Sequence, residues 1–342
     1  MSQNPVVDLK ATVLQAVKRL EFRTMTTLIE NLKQAVKSRP RRVIFPEQQD
    51  SRVIEAARHL KQQGLAEPII LATDAAVDGQ LEIFAEQPNH RELFQTAINR
   101  LVELRAQKGM TPEQADKALQ NPLLLAAVLV NIGYADAGIA GSLATTAEVF
   151  RAGIQGIGLA ADTELVSSFF LMELNDGRVL TFADCAVIAQ PNAEQLAEIA
   201  IASAASHQRI TQQEPCAALL SFSTLGSAEH DCIDKVRSAL AIARQKQPQL
   251  NIDGELQFDA AFVPEVAARK AASSDVAGRA NVYIFPSLDA GNIAYKIVER
   301  IGRAKAIGPI LQGLAKPWMD LSRGCSSEDI VNVAVIASLL AS

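Results

Sequence analysis

The residues RVIFPEQQDSRVIEAARHLKQQGLAEPIILA, numbers 42–72, decide the fold class. The apolar run at 42–46 predicts a strand, and the apolar spacing within 51–63 predicts a helix. The run at 68–72 predicts a second strand. Because strand, helix and strand follow one another with short Gly and Pro punctuation, this stretch predicts a parallel α/β sheet.

The same alternation continues along the chain. The further strands that we predict are 137–141, 166–172, 179–182, 185–188, 216–221, 257–263 and 281–286. The further helices that we predict are 91–107, 112–119, 121–132, 145–152, 193–206, 230–246, 291–302 and 326–340.

A chain of 342 residues suggests two domains. A glycine-rich segment at 153–158 predicts a crossing between them, and Gly308-Pro309 predicts a return. We therefore expect a first α/β domain at 25–155 plus 308–342 and a second at 156–307. Residues 1–24 have helical apolar spacing and predict an N-terminal helical extension, either a packing or oligomer contact or a docking peptide. Thr27, with Glu30 three residues later, predicts the start of the next helix.

Composition excludes several classes of protein. With 49% hydrophobic and 21% charged residues, the chain is typical of globular proteins rather than disordered ones. A net charge of −5 argues against a nucleic-acid partner. The apolar run at 123–130 is too short for a membrane span, and the first ten residues do not resemble a signal peptide. The four cysteines are widely spaced, which predicts reduced thiols in a cytoplasm rather than a zinc site or a disulfide framework.

Motifs for several chemistries are missing from the sequence. It contains no GxGxxG, GxxxxGK[ST], HExxH or GxSxG pattern. We therefore expect any chemistry to come from Arg, Ser, Thr and Asp side chains and from backbone amides.

Three segments combine glycine with polar residues, and two of them follow predicted strands. Residues 141–151 place free amides, Thr145, Thr146 and Arg151 where α/β proteins bind anions, although an ordinary Thr-capped helix explains the pattern equally well. Residues 320–329 fit either a catalytic turn or a capping box formed by Ser326 and Asp329. In the third segment, 287–296, Lys296 either reaches an anion or extends into water.

Two other features leave alternatives open. Asp253 and Asp259 suggest either a metal site or turn and strand-edge roles. Cys325 has no visible His or Lys partner, so a buried thiol that takes no part in catalysis is favoured over a nucleophile.

Eight stretches taken together resemble the phosphate acetyltransferase (phosphotransacetylase) family, within the wider phosphate acetyl/butyryltransferases. The resemblance covers residues 26–342 and is nearest to the compact form associated with ethanolamine use. The stretches are FPEQQDSRVIEAA (45–57), LRAQKGMTPEQA (104–115), TTAEVFRAGIQ (145–155), FADCAVIAQPNAEQLAEIAI (182–201), LLSFSTLGSA (219–228), DGELQFDAAFVPEVA (253–267), ANVYIFPSLDAGNIAYKI (280–297) and GPILQGLAKPWMDLSRGCSSEDIV (308–331).

The resemblance implies the reaction CoA + acetyl phosphate ⇌ acetyl-CoA + phosphate, by direct thiolate attack and without a metal or other cofactor. It implies two three-layer α/β domains with an interdomain cleft, as in isocitrate and isopropylmalate dehydrogenases. It also implies a homodimer. The alternatives are a phosphate butyryltransferase or other short-chain enzyme, an isocitrate dehydrogenase-type oxidoreductase, and a non-catalytic protein that binds CoA or acetyl phosphate.

The resemblance also assigns roles to individual residues. Asp329 matches the residue that takes the proton from the CoA thiol. Arg323 matches the one that stabilises charge on the acetyl carbonyl, and Ser322 matches one that helps to place the thiol and the acyl group. The residues that match positions in the substrate pocket are Arg52, Arg105, Arg151, Thr145 and Thr146.

Overall fold

The computed structural model describes residues 27–71, 81–161 and 163–341, so the helix predicted at 1–24 lies outside the described residues. Up to residue 156 the elements are helix α1 (Leu28–Lys37), strand β1 (Arg41–Phe45), α2 (Ser51–Gln62), β2 (Ala66–Ile70), β3 (Glu82–Ile83), α3 (His90–Leu104), α4 (Pro112–Ala118), α5 (Pro122–Asn131), β4 (Ala137–Ala140) and α6 (Thr146–Gly156). From residue 163 they are β5 (Ser167–Glu173), β6 (Val179–Ala183), α7 (Ala193–Thr211), β7 (Cys216–Leu220), α8 (Asp231–Lys246), β8 (Asn251–Leu256), α9 (Phe258–Phe262), α10 (Pro264–Lys270), β9 (Val282–Ile284), α11 (Leu288–Arg300), β10 (Lys305–Gln312), β11 (Trp318–Asp320) and α12 (Ser327–Leu340).

The first sheet is parallel and, within the described residues, has the strand order β11-β4-β1-β2-β3. Side chains of β1 alternate between its two faces, as expected for a strand that is buried on both sides. Val43 and Phe45 join the apolar cluster formed with α1, α2 and α12, whereas Ile44 joins the cluster formed with α3, α5 and α6. The last helix, α12, packs against α1 and α2, the two helices that flank β1 in the chain.

The second sheet is mixed, with the order β10-β5-β6-β9-β7-β8 among the described strands. The pairs β10–β5 and β5–β6 are antiparallel, and the remaining pairs are parallel. Helices α7 and α8 pack on one face, and α9 and α11 contribute to the apolar cluster on the other. Each sheet therefore lies between two layers of helices, which confirms the predicted two three-layer α/β units.

Two predicted strands are wrong. Residues 185–188 form a loop, whose backbone N–H groups at Ala186, Val187 and Ile188 donate to the Asp184 carboxylate. Residues 257–263 contain helix α9, and the strand is the preceding β8. A short apolar run does not by itself distinguish a strand from a buried helical turn, which explains the second error.

The predicted return at residue 308 lies inside a strand. Strand β10 runs from Lys305 to Gln312, and its residues Ile310–Gln312 still pair with β5 of the second sheet. Gly308 and Pro309 interrupt only the pairing register. The described pairing therefore places the return to the first sheet after Gln312, while the other domain boundaries stay predictions.

Trp318 connects β11 to the rest of the first domain. The side chain is fully buried, and its Nε1 donates to the backbone oxygen of Val149 at 2.9 Å. A Cβ at Gly138 would lie 2.4 Å from the indole ring, and one at Gly153 would lie 2.8 Å from it. The two glycines therefore leave the space that the indole fills, which brings β11 beside β4.

Strands β1, β4 and β11 are neighbours and parallel, so their carboxyl ends meet at one edge of the sheet. Ligands of α/β proteins bind at such edges. Of the helices in the described ranges, none is both long and apolar enough to cross a bilayer.

Candidate active site

A cleft of about 270 Å³ lies between the two α/β units. Tyr295 of α11 and Ile307 of β10 line one side, and Ser322 and Asp329 line the other. The cleft therefore brings together two of the three residues that were predicted to be catalytic.

A larger cavity, of about 710 Å³, lies at the other end of the second sheet. It is lined by residues such as Val179 at the start of β6 and Asn281 before β9, and by none of the predicted site residues. Since ligands of α/β proteins bind at the carboxyl ends of strands, the smaller cleft is the candidate site.

The segment after β11 makes a tight turn through residues 321–326. Ser322 Oγ accepts a hydrogen bond from the Gly324 backbone N–H at 3.2 Å, and the Ser322 backbone oxygen accepts one from the Cys325 N–H at 2.9 Å. Ser322 and Arg323 are exposed, whereas Cys325 is buried. Burial raises the pKa of the Cys325 thiol, which makes it a poor nucleophile near neutral pH.

Asp329 forms the predicted capping box at the start of α12. Its Oδ2 accepts hydrogen bonds from the backbone N–H and the hydroxyl of Ser326, both at 2.8 Å, and Ser326 Oγ accepts one from the Asp329 N–H at 3.1 Å. The other carboxylate oxygen, Oδ1, takes no part in the cap. The cap therefore fixes the orientation of a carboxylate that also lines the cleft.

The loop after β4 binds an anion, but the anion is a side chain of the protein itself. Glu47 is buried, and its Oε2 accepts from the N–H groups of Gly141 and Ser142 at 2.7 and 2.8 Å and from Ser142 Oγ at 3.0 Å. Its Oε1 accepts from the N–H groups of Leu143 and Ala144 at 3.0 and 2.7 Å. The expectation that these amides are free for a substrate anion is therefore wrong.

Three residues that were predicted to bind substrate follow this loop, and the structure places them in different surroundings. Thr145 caps α6 in a capping box with Glu148, which is the alternative explanation that the sequence left open. Thr146 interacts with the Asp320 carboxylate, and this interaction acts to lower the pKa of Asp320. Arg151 is exposed one turn further along α6. Substrate binding by these three residues stays a prediction.

Asp320 is a buried carboxylate at the end of β11. Only 3% of it is exposed, and its Oδ1 has no hydrogen-bond partner among the described residues. A Cβ at Gly141 would lie 2.4 Å from this oxygen, so the backbone that follows β4 packs directly against it. Burial raises the pKa of Asp320 to about 6, and the charge of Glu47 acts in the same direction.

The remaining predicted residues lie in three different places. Arg105 follows the last turn of α3, and its Nε is buried without a partner in the described part of the chain. Lys296 is exposed on α11, with its Nζ 5.7 Å from the centre of the Tyr295 ring. Arg52 lies at the start of α2, and its guanidinium is bound to Asp50 and to backbone oxygens. Substrate binding by these residues also stays a prediction.

The two carboxylates that suggested a metal are engaged in ion pairs. Asp253 accepts from Arg244 at 2.8 Å, and Asp259 accepts from Lys270 at 3.0 Å. Across the described ranges, no group of three or more His, Cys, Asp or Glu side chains is arranged to hold a metal ion.

The sequence predicted no role for Glu47, Asp50 or Asp320. All three lie at the edge of the first sheet where the carboxyl ends of its strands meet. The available signal was an acidic residue placed directly at or after a buried strand. A buried carboxylate at such a point must find N–H or O–H donors, and the nearest donors are the neighbouring strand exits.

Comparison with known proteins agrees with the predicted family. The family model described as Phosphate acetyl/butaryl transferase matches residues 27–338. A phosphate acetyltransferase of Acetivibrio thermocellus is 43% identical over 326 residues, which cover 92% of this chain and 98% of that protein.

Solved structures give the same result. A phosphotransacetylase from Streptococcus pyogenes has a TM-score of 0.85 at 42% identity, over 92% of this chain and 98% of that one. EutD phosphotransacetylase from Staphylococcus aureus has a TM-score of 0.84 at 38% identity, over the same shares of the two chains. The chain therefore belongs to the phosphate acetyl/butaryl transferase family.

Proposed function

We propose that this protein is a phosphate acetyltransferase that moves an acetyl group reversibly between acetyl phosphate and coenzyme A. The relatives at about 40% identity or more over nearly the whole chain support this activity. The observation that carries the proposal is the interdomain cleft, because Ser322 and the capped Asp329 line the same side of it.

The reaction starts from the CoA thiol, with an ordinary pKa near 8.5, so that a few per cent is thiolate at pH 7. Removing the proton at pH 7 costs only about 2 kcal/mol. Asp329 accepts this proton in our proposal, through the oxygen that does not cap α12. A strong base is therefore not required.

The sulfur then attacks the acetyl carbon, and the bond between that carbon and the phosphate oxygen breaks as orthophosphate leaves. The carbonyl oxygen carries negative charge in the tetrahedral intermediate. We assign Arg323 to this oxygen, because one well-placed donor to an oxyanion contributes about 3–4 kcal/mol. Ser322, held by the tight turn, places the thiol and the acyl group.

Both substrates are anionic, and guanidinium groups bind phosphate with two parallel hydrogen bonds. We propose that Arg105 and Arg151 bind CoA or acetyl phosphate, with Lys296 contributing a further donor. The unpartnered Nε of Arg105 supports its part in this proposal, because a buried donor without a partner is costly unless a ligand satisfies it.

The decisive experiment incubates purified protein with CoA and acetyl phosphate and follows thioester formation and orthophosphate release together. Equal amounts of both products are expected. Folded protein that forms neither would refute the proposal. Repeating the assay with butyryl phosphate and other acyl phosphates tests the preference for acetyl over longer chains.

We also propose that the reaction needs no metal ion, since arginine side chains supply the positive charge and the Asp253 and Asp259 carboxylates are already paired with cations. Turnover should therefore be unchanged after dialysis against a chelator. A loss that added Mg²⁺ or Zn²⁺ restores would contradict this.

We propose a homodimer that uses α11. Ile293 and Ile297 lie on one face of this helix, followed by Ile301 directly beyond it, and all three are exposed. An apolar stripe of this kind is typical of an interaction surface. A monomeric mass for the wild-type chain in analytical ultracentrifugation would contradict the proposal, and Ile297→Asp is expected to shift a dimer towards monomer.

For localisation, we propose the cytoplasm. The support is that Cys185, Cys216, Cys232 and Cys325 are all free thiols, a state typical of a reducing compartment. Cell fractionation with detection of the native protein tests this proposal.

A further inference from the structure

The guanidinium of Arg52 is saturated by partners within the protein. A guanidinium carries five N–H donors. In Arg52, Nε donates to Asp50 Oδ1 at 3.0 Å and Nη2 donates to Asp50 Oδ2 at 2.7 Å. Nη2 also donates to the Ser142 backbone oxygen at 3.2 Å, and Nη1 donates to the backbone oxygens of Arg323 at 3.0 Å and Cys325 at 2.6 Å. Every donor is therefore used before any substrate arrives.

These partners lie on three separate strand exits. Asp50 follows β1, Ser142 follows β4, and the other two carbonyls belong to the turn after β11. That turn carries the Ser322 and Arg323 side chains at its exposed surface. Arg52 therefore connects the backbone of the catalytic turn to the two neighbouring loops of the first domain.

Asp50 fixes the guanidinium in this orientation. Its carboxylate is buried, with 7% of the residue exposed, and it also accepts the Arg52 backbone N–H at 2.9 Å. The hydrogen bonds from Arg52 hold the pKa of Asp50 below its ordinary value, so the carboxylate stays ionised. A paired, bidentate guanidinium of this kind defines a direction in space, which a lysine ammonium does not.

We propose that Arg52 is a positioning residue for acetyl transfer: it holds the backbone of the Ser322–Cys325 turn so that Arg323 and Ser322 face the substrate, and it does not bind the substrate anions itself. This differs from the role that the sequence resemblance implied. It rests on the proposed acetyltransferase activity and on the assignment of Arg323 to the transition state.

The test compares steady-state kinetics of Arg52→Ala and Arg52→Lys with wild type. Both variants are expected to lose about 100-fold in kcat, the size of effect that a displacement of about 1 Å in a catalytic group produces. The KM values for CoA and acetyl phosphate should change less than about threefold, since no substrate contact is removed. Lys61→Ala, an exposed position on the same helix, should retain wild-type kinetics.

Chemical rescue gives a readout that simple destabilisation would not produce. Side-chain exposure of 32% leaves the Arg52 position open to solvent, so guanidinium ions at millimolar concentration should restore part of the kcat of Arg52→Ala. The same ions should not accelerate wild type or Lys61→Ala. Should Arg52→Ala fail to fold, Arg52→Lys decides alone, because it keeps the charge and most of the stem.

Two kinetic results would overturn the proposal. A KM raised more than tenfold with kcat retained would show that Arg52 binds substrate directly. Wild-type kcat in Arg52→Lys would show that charge alone is sufficient.

Hydrogen exchange separates failure of this inference from failure of the proposed function. The amides of residues 322–326 should exchange faster in Arg52→Lys than in wild type even without turnover. Equal exchange in Arg52→Lys and wild type would refute the positioning role whatever reaction the protein catalyses. If Arg52→Lys exchanges faster but the wild-type protein shows no acetyl transfer, only the acetyltransferase assignment is refuted.

Discussion

Glu47→Gln tests whether the buried carboxylate is required to stabilise the folded conformation of the loop after β4. The substitution keeps the size and shape of the side chain but replaces one acceptor oxygen by an NH₂ group. Each carboxylate oxygen accepts at least two backbone N–H groups, so either orientation of the new amide leaves at least two amide donors facing another donor.

The expected loss follows from those contacts. A hydrogen bond to a charged group contributes about 1.5–3 kcal/mol, so two such bonds predict a free energy of unfolding lower by about 3–6 kcal/mol. The neighbouring Glu148→Gln is the matched control. Glu148 is exposed and accepts the Thr145 N–H and hydroxyl through a single oxygen, which a glutamine can supply, so a loss below about 1 kcal/mol is expected.

The measurement is urea-induced unfolding of wild type and both variants, followed by far-ultraviolet circular dichroism with refolding checked. The midpoint and slope give the free energy of unfolding for each protein. If Glu47→Gln is no less stable than Glu148→Gln, the loop does not depend on the buried carboxylate and the reasoning fails.

Four further outcomes are expected. Arg323→Ala should lower kcat far more than it raises KM, and a variant with kcat retained would assign Arg323 to ground-state binding. Arg105→Ala and Arg151→Ala should mainly raise KM for CoA or acetyl phosphate, and unchanged KM values in both would remove them from the anion pocket. Cys325→Ala should remain active, because its thiol is buried and its pKa is raised; complete loss in a folded variant would instead indicate a covalent acyl-enzyme. Asp320 has a pKa raised from 3.8 to about 6, so it favours folding most below about pH 4, and this contribution is lost as the pH rises through about 6. Between pH 4 and pH 7, the free energy of unfolding of Asp320→Asn should therefore fall by about 2–3 kcal/mol less than that of wild type. Parallel pH profiles for the two proteins would contradict this.

Much of the architecture could be predicted from local patterns. The strand–helix–strand signal at 42–72 and the Thr27 cap both occur as expected, because each depends on residues close together in the sequence. Strands β10 and β11 were missed. Glycine and proline in the middle of β10 obscure its apolar alternation, and β11 is only three residues long.

In the candidate site, too, contacts between residues close together in the sequence could be predicted, whereas contacts between distant residues could not. Asp329 was predicted both as a helix cap and as a catalytic residue, and its capping role is visible in the structure because Ser326 is three residues away. The backbone partners of the Glu47 and Arg52 side chains could not be predicted, since they lie about 90 to 270 residues further along the chain. Only the sheet order brings those loops together, and no local pattern encodes that order.

The indole of Trp318 has a consequence for natural variation in this family. Positions 138, 153 and 318 share one fixed volume, although they are far apart in the chain. A relative that carries alanine at position 138 or 153 must therefore carry a smaller ring or an aliphatic side chain at 318, and the three positions should change together during divergence.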